Sequence, residues 1–137
     1  MKVRDVMSGD VKTIAAASTL QEAAELMKRH DIGSVPVAED DRLVGMVTDR
    51  DLVIRALAEG IPADTEVRSV MTGQVMYCYD DQELAEAVRN MAGLEIRRLP
   101  VVDRDKRLVG VLSLSNVAAG NNESLNSELL EAVATPH

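Results

Sequence analysis

Apolar positions along the chain alternate between two rhythms. Leu20, Ala23, Ala24 and Met27 keep the i, i+3, i+4, i+7 spacing of a helix with one buried face, as do Leu84, Ala87, Val88 and Met91. Ser18 or Thr19 can cap the first of these helices, and Glu22 completes a capping box if Thr19 is the cap. SVPVA and LPVV then read as short buried strands, with LVGMV and LVGVL as their neighbours across polar turns. A second helix is predicted from about Asp49 to Ala58. The order is strand, helix, strand, strand, helix in each half.

The two halves are copies. VRDVMSGDV, starting at Val3, returns as VRSVMTGQV, starting at Val67, so that Met7 maps onto Met71 at a spacing of 64 residues. The same spacing carries Leu20, Glu22, Ala23 and Met27 onto Leu84, Glu86, Ala87 and Met91, and Pro36 onto Pro100. One residue is then added, because RLVGMVT matches RLVGVLS at a spacing of 65. The addition falls in the polar stretch between strands, where a loop tolerates it. Repeat 1 is placed at 1–60, repeat 2 at 61–120 and a helical tail at 121–137, where Leu125, Leu129, Leu130 and Val133 can share a face. Gly60 to Ala63 mark the connection. A copy of about 60 residues is marginal alone, so one intertwined domain with approximate two-fold symmetry is expected.

Composition narrows the partners. Fifteen basic residues against twenty-three acidic ones give a net charge of −8, which opposes attraction to nucleic-acid backbones and anionic membranes. No apolar run approaches the roughly 20 residues of a membrane span, and no leader pattern opens the chain, so a cytoplasmic location is expected. Catalytic material is thin. Cys78 reads as a small strand residue, His30 ends a helix where the dipole favours a cation, and with His137 these are too few for a zinc site. No enzyme activity and no metal are expected.

The segment TDRD offers different chemistry. Thr48 ends a strand and Asp51 starts a helix, so free N–H groups and the positive dipole end lie beside a hydroxyl, which suits a phosphate. Arg50 adds charge, and the Asp51 carboxylate can accept both hydroxyls of a ribose. The alternative is a plain N-cap pair.

In their order and repetition, DVM with Val11 and Thr13, the Leu-Glu-Ala-Met helix, the Val-Pro-Val strand and Gly-Met-Val-Thr-Asp-Arg-Asp-Leu resemble a pair of CBS domains. The resemblance covers about Met1 to Val117. It implies an α+β fold (mixed α/β), with two β-α-β-β-α repeats packed with pseudo-two-fold symmetry. It also implies a regulatory sensor binding AMP, ADP, ATP, NAD or S-adenosylmethionine in two clefts between the repeats. By that resemblance the first cleft uses Thr48, Arg50 and Asp51 for phosphate and ribose, with Tyr77, Arg98, Leu99 and Pro100 about the base. The second uses Ser113, Ser115 and Asn116 with Thr13, Ser34, Val35 and Pro36. Asn116 stands where an acid would hold the ribose, so the second cleft is expected to be weaker or altered. Arg97 and Arg98 are strand neighbours, so only one can face a cleft. A homodimer through the second helices, about Asp49 to Ala58 and Asn116 to Ala119, is implied too. The rival reading is a protein-interaction module with no small-molecule ligand.

Overall fold

The computed structural model describes residues 1–94 and 97–119. The predicted tail at 121–137, together with Ile96 and the side chain of Asn116, lies outside the described residues. The chain forms two compact units that are not the two sequence copies. A continuous unit holds Lys12–Val75, and a split unit joins Met1–Val11 to the chain from Met76 onward.

In the continuous unit, helix α1 (Leu20–His30) leads into strands β1 (Ser34–Glu39) and β2 (Arg42–Thr48), which pair antiparallel. Of the two candidate caps, Ser18 and Thr19, Thr19 caps α1: its hydroxyl accepts the Glu22 N–H while the Glu22 carboxylate accepts the Thr19 N–H. The helix stops at Asp31, which takes a left-handed conformation. The expected first strand is reduced to one parallel bridge, Ile14 beside Val37. Ile14, Leu20, Ala23, Met27, Val35, Val37 and Val47 form the core.

The expected second helix is present but wide. Residues Asp51–Ala56 follow i→i+5 bonding, and a tight turn at Leu57–Glu59 ends at Gly60 with φ near 70°. Ala56 is buried and Leu52 packs on the core, whereas Val53, Ile54 and Leu57 are exposed.

The split unit repeats the plan. Strand β3 (Cys78–Tyr79) pairs parallel with β4 (Arg98–Val102), which pairs antiparallel with β5 (Leu108–Ser113), and helix α2 (Leu84–Gly93) packs on the sheet. A short helix α3 (Leu114–Ala119) follows. Both β-bulges fall at equivalent places, between Val37 and Ala38 and between Val101 and Val102. Pro36 and Pro100 lie inside strands without cost to the main ladders. Each faces a residue, Met46 or Val111, whose own backbone bonds run to the opposite side, so the missing N–H interrupts no pair. The added residue of the second copy sits in the hairpin turn. Asp40 and Asp41 make a tight two-residue turn at positive φ, while the longer turn before Arg107 has only Lys106 there and is tied by the Asp103 carboxylate.

What closes each sheet comes from the other copy. The opening segment of the chain folds as a turn at Val3–Asp5, buries Val3 completely among Leu84, Val88 and Met91, and exchanges two backbone bonds of 2.9 Å between Ser8 and Val111. The matching segment at Val67–Ser69 buries Val67 in the continuous unit and exchanges two 2.9 Å bonds between Thr72 and Met46. Each buried valine contributes about 1.5–3 kcal/mol.

Both segments rest on a glycine. A Cβ at Gly110 would lie 2.6 Å from the Met7 sulfur and 2.8 Å from the Ser8 carbonyl oxygen, and one at Gly45 would lie 2.6 Å from the Met71 sulfur and 3.0 Å from the Thr72 oxygen. Gly110→Ala and Gly45→Ala should therefore each lower stability by about 1–3 kcal/mol in urea denaturation, Gly110→Ala the more. Gly9, with nothing within 4 Å, should tolerate alanine to within about 0.5 kcal/mol. Equal tolerance at all three positions would refute the close-packed seat.

Candidate functional site

In the continuous unit the predicted residues gather at one end of the sheet. Ser34 opens β1 directly opposite Thr48, which closes β2; the Pro36 carbonyl accepts the N–H of Ile14, next to Thr13. Val35 and Pro36 are buried, Ser34 and Thr48 half-buried, and Thr13 and Arg50 exposed.

Thr48 and Asp51 form a reciprocal pair. The Thr48 N–H donates to Asp51 Oδ2 at 2.9 Å, and the Asp51 N–H donates to Thr48 Oγ1 at 3.0 Å. The capping alternative is therefore realised, and it leaves chemistry to spare. The Thr48 hydroxyl keeps its proton to donate, and among the described residues Asp51 Oδ1 has only Arg55, 3.8 Å away. Asp49 steadies the turn: its N–H donates to the Gly33 carbonyl, and its carboxylate accepts the Arg50 N–H.

In the split unit the equivalent end carries Arg98 opposite Ser113, with Leu99 and Pro100 buried behind them. Ser113 and Ser115 place their hydroxyl oxygens 3.0 Å apart, and the Leu114 N–H donates to the Arg97 carbonyl. At the spacing of 65 residues Ser113 stands for Thr48, Ser115 for Arg50 and Asn116 for Asp51. Arg97 and Arg98 are both exposed.

Sequence reasoning did not find the cavity beside this strand end. It has a volume of about 440 Å³, within the usual range for small-molecule sites, and its wall includes Met76, Tyr77, Cys78, Ala87, Arg89, Asn90, Met91, Gly93, Leu94 and Leu99. Tyr77 and Leu99, predicted to flank a base, both line it. The α2 contribution was legible only as a core stripe.

The only two aromatic rings are fixed by cations. Tyr77 and Tyr79 meet edge to face with centroids 5.7 Å apart; Arg104 lies 4.0 Å over the Tyr79 ring and Lys106 6.0 Å over that of Tyr77. Arg104 also grips Asp81 through two bonds of 2.7 and 2.9 Å, which holds the Asp81 carboxyl below the usual carboxylate range. The first copy has Thr13, Ala15 and Asp41 where this cluster has Tyr77, Tyr79 and Lys106.

Comparison with known proteins matches the CBS domain twice, at residues 3–57 and 67–120. The CBS domain-containing protein YhcV of Bacillus subtilis is 41% identical over 129 residues, covering 93% of this chain and 91% of its own. Hypoxic response protein 1 of Mycobacterium tuberculosis is 34% identical over 135 residues, covering 97% of this chain and 94% of its own. A crystal structure of Hypoxic Response Protein I with two coordinated zinc ions has a TM-score of 0.79, covering 89% of this chain and 100% of that one. A crystal structure of CBSX2 in complex with AMP has a TM-score of 0.76 at 28% identity, covering 87% and 94%.

Cys78, on the cavity wall, is 3% exposed, and burial pushes its thiol from an ordinary value of 9.0 up to about 12. Native protein at pH 8 should react with a thiol reagent far more slowly than urea-unfolded protein; equal rates would refute the burial. The folded state favours the neutral thiol. Its contribution is therefore complete below the unfolded value of 9.0 and is lost as pH rises through the folded value of about 12. Cys78→Ala should flatten that alkaline loss of stability.

Proposed function

The chain belongs to the CBS domain family as a tandem pair, and on that premise we propose that it is a regulatory module whose ligand contains adenosine. The observation that carries the reading is the Thr48–Asp51 pair: a half-buried hydroxyl and carboxylate fixed by reciprocal backbone bonds at a strand end, with a donor proton and a carboxylate oxygen still available. Pre-organised polar groups of this kind cost little to order on binding. Thr48 and Arg50 take the phosphate, and Asp51 accepts the ribose hydroxyls. Tyr77, Leu99 and Pro100 hold the base, with Arg98 adding charge. AMP in the complex of CBSX2 supports the ligand class.

A second, weaker site uses Thr13, Ser34, Val35 and Pro36 with Ser113, Ser115 and Asn116. Without a carboxylate at 116, its ribose contact is an uncharged amide. Occupancy acts by linkage, stabilising whichever conformation binds the nucleotide more tightly. The protein is regulatory rather than catalytic, cytoplasmic, and a homodimer through the helical face that exposes Val53, Ile54 and Leu57. No nucleic acid or membrane takes part. Its downstream partner is a protein.

Calorimetric titration of nucleotide-free protein with AMP, ADP, ATP, NAD and S-adenosylmethionine tests the reading. At least one should bind, raising stability by about 2.7 kcal/mol at a hundredfold excess over Kd. Thr48→Ala with Asp51→Ala should weaken it tenfold or more. Silence from all five ligands would favour a module that binds only protein. For the dimer, Leu57→Glu should shift sedimentation toward the monomer; an unchanged profile would remove this helix from the interface.

A further inference from the structure

The face that α2 turns to the cavity is mostly apolar, with Arg89 and Asn90 as its exposed polar members. Counting 100° per residue, Ala87, Asn90, Met91 and Leu94 fall on one stripe. Ala87 and Met91 are fully buried, and Leu99 closes the floor from β4. Asn90 lies at the exposed rim of the same cavity, and among the described residues its carboxamide has no hydrogen-bond partner. The first copy has Leu26 at the equivalent position of α1, packed against its core, so the helix does not need an amide there to fold.

We propose that Asn90 reads the edge of the ligand's base and makes this cavity selective for a base carrying an exocyclic amino group. The inference rests on the adenosine reading above. Apolar walls of Met76, Met91 and Leu99 favour a flat, uncharged ring, and the exposed Arg89 leaves a charged group of the ligand a partner outside them. A carboxamide presents one acceptor beside two donors. Adenine presents the complement: its 6-amino group donates to the amide oxygen while an adjacent ring nitrogen accepts from the amide NH2. Because Asn90 is at the rim, water can replace a lost contact. The discrimination is therefore that of one ordinary hydrogen bond rather than of a sealed recognition pocket.

A cycle of two proteins and two ligands tests this. Wild-type protein should bind AMP about three- to tenfold more tightly than purine riboside 5′-monophosphate, which lacks the 6-amino group. In Asn90→Leu, which places the first copy's own residue at this position, AMP affinity should fall by a similar factor and the preference should shrink to within about twofold. Asn90→Gln should restore part of it. Equal wild-type affinities, or a preference undiminished in Asn90→Leu, would overturn the role of Asn90 and leave the adenosine reading standing. Failure of the wild type to bind either compound would overturn the role of Asn90, and silence from ADP, ATP, NAD and S-adenosylmethionine as well would overturn the adenosine reading.

Discussion

Two sulfur atoms resting on two glycines hold this molecule's architecture. Met7 over Gly110 and Met71 over Gly45 let a segment approach a strand closely enough for the paired 2.9 Å backbone bonds at Ser8–Val111 and Thr72–Met46 to form. A side chain at either glycine would crowd the methionine and the carbonyl oxygen of the segment, so that the segment would have to shift. The valine four residues before each methionine is driven fully into the core at the same time. Backbone pairing, apolar burial and glycine clearance thus coincide at each seat. The strand ends that carry Thr48 and Ser113 belong to the strands held in this way.

On that shared frame the copies have diverged where they meet solvent. Thr48 and Asp51 lock one strand end with a charged reciprocal pair, and Ser113 and Ser115 mark the other with two hydroxyls. The hairpin turns differ by charge as well as length, since Asp41 and Lys106 occupy the same left-handed position with opposite signs. Lys106 and Arg104 reach back over tyrosines that the first copy lacks. Fold symmetry survives because these changes touch exposed or half-buried groups, whose substitution costs the core little.

Much of this was legible in the sequence. Helical spacing located α1 and α2, the Thr19–Glu22 box is one of the two caps the sequence allows, and the offset of one residue between copies pointed to the hairpin turn that contains it. Periodicity reports which side chains are buried, not which partner buries them, so the exchange of opening segments left no mark beyond the repeated Val-x-x-Val-Met. The same limit hid the cavity, because a stripe of Ala87, Met91 and Leu94 looks identical whether it faces a packed core or an open space. The i→i+5 winding of Asp51–Ala56 was also invisible, since six residues are too few for one extra residue per turn to alter the apolar pattern.

The exchanged segments change what counts as a separable piece. Gly60 is where the two repeats meet in sequence, yet a break there would strand Val3 and Met7 on one fragment and their seat at Gly110 on the other. The first fragment would likewise lose Met71 from its seat at Gly45. Neither half inherits a finished sheet. The smallest heritable unit of this fold is therefore the pair, and a gene carrying a single copy would have to borrow its closing segment from a second molecule.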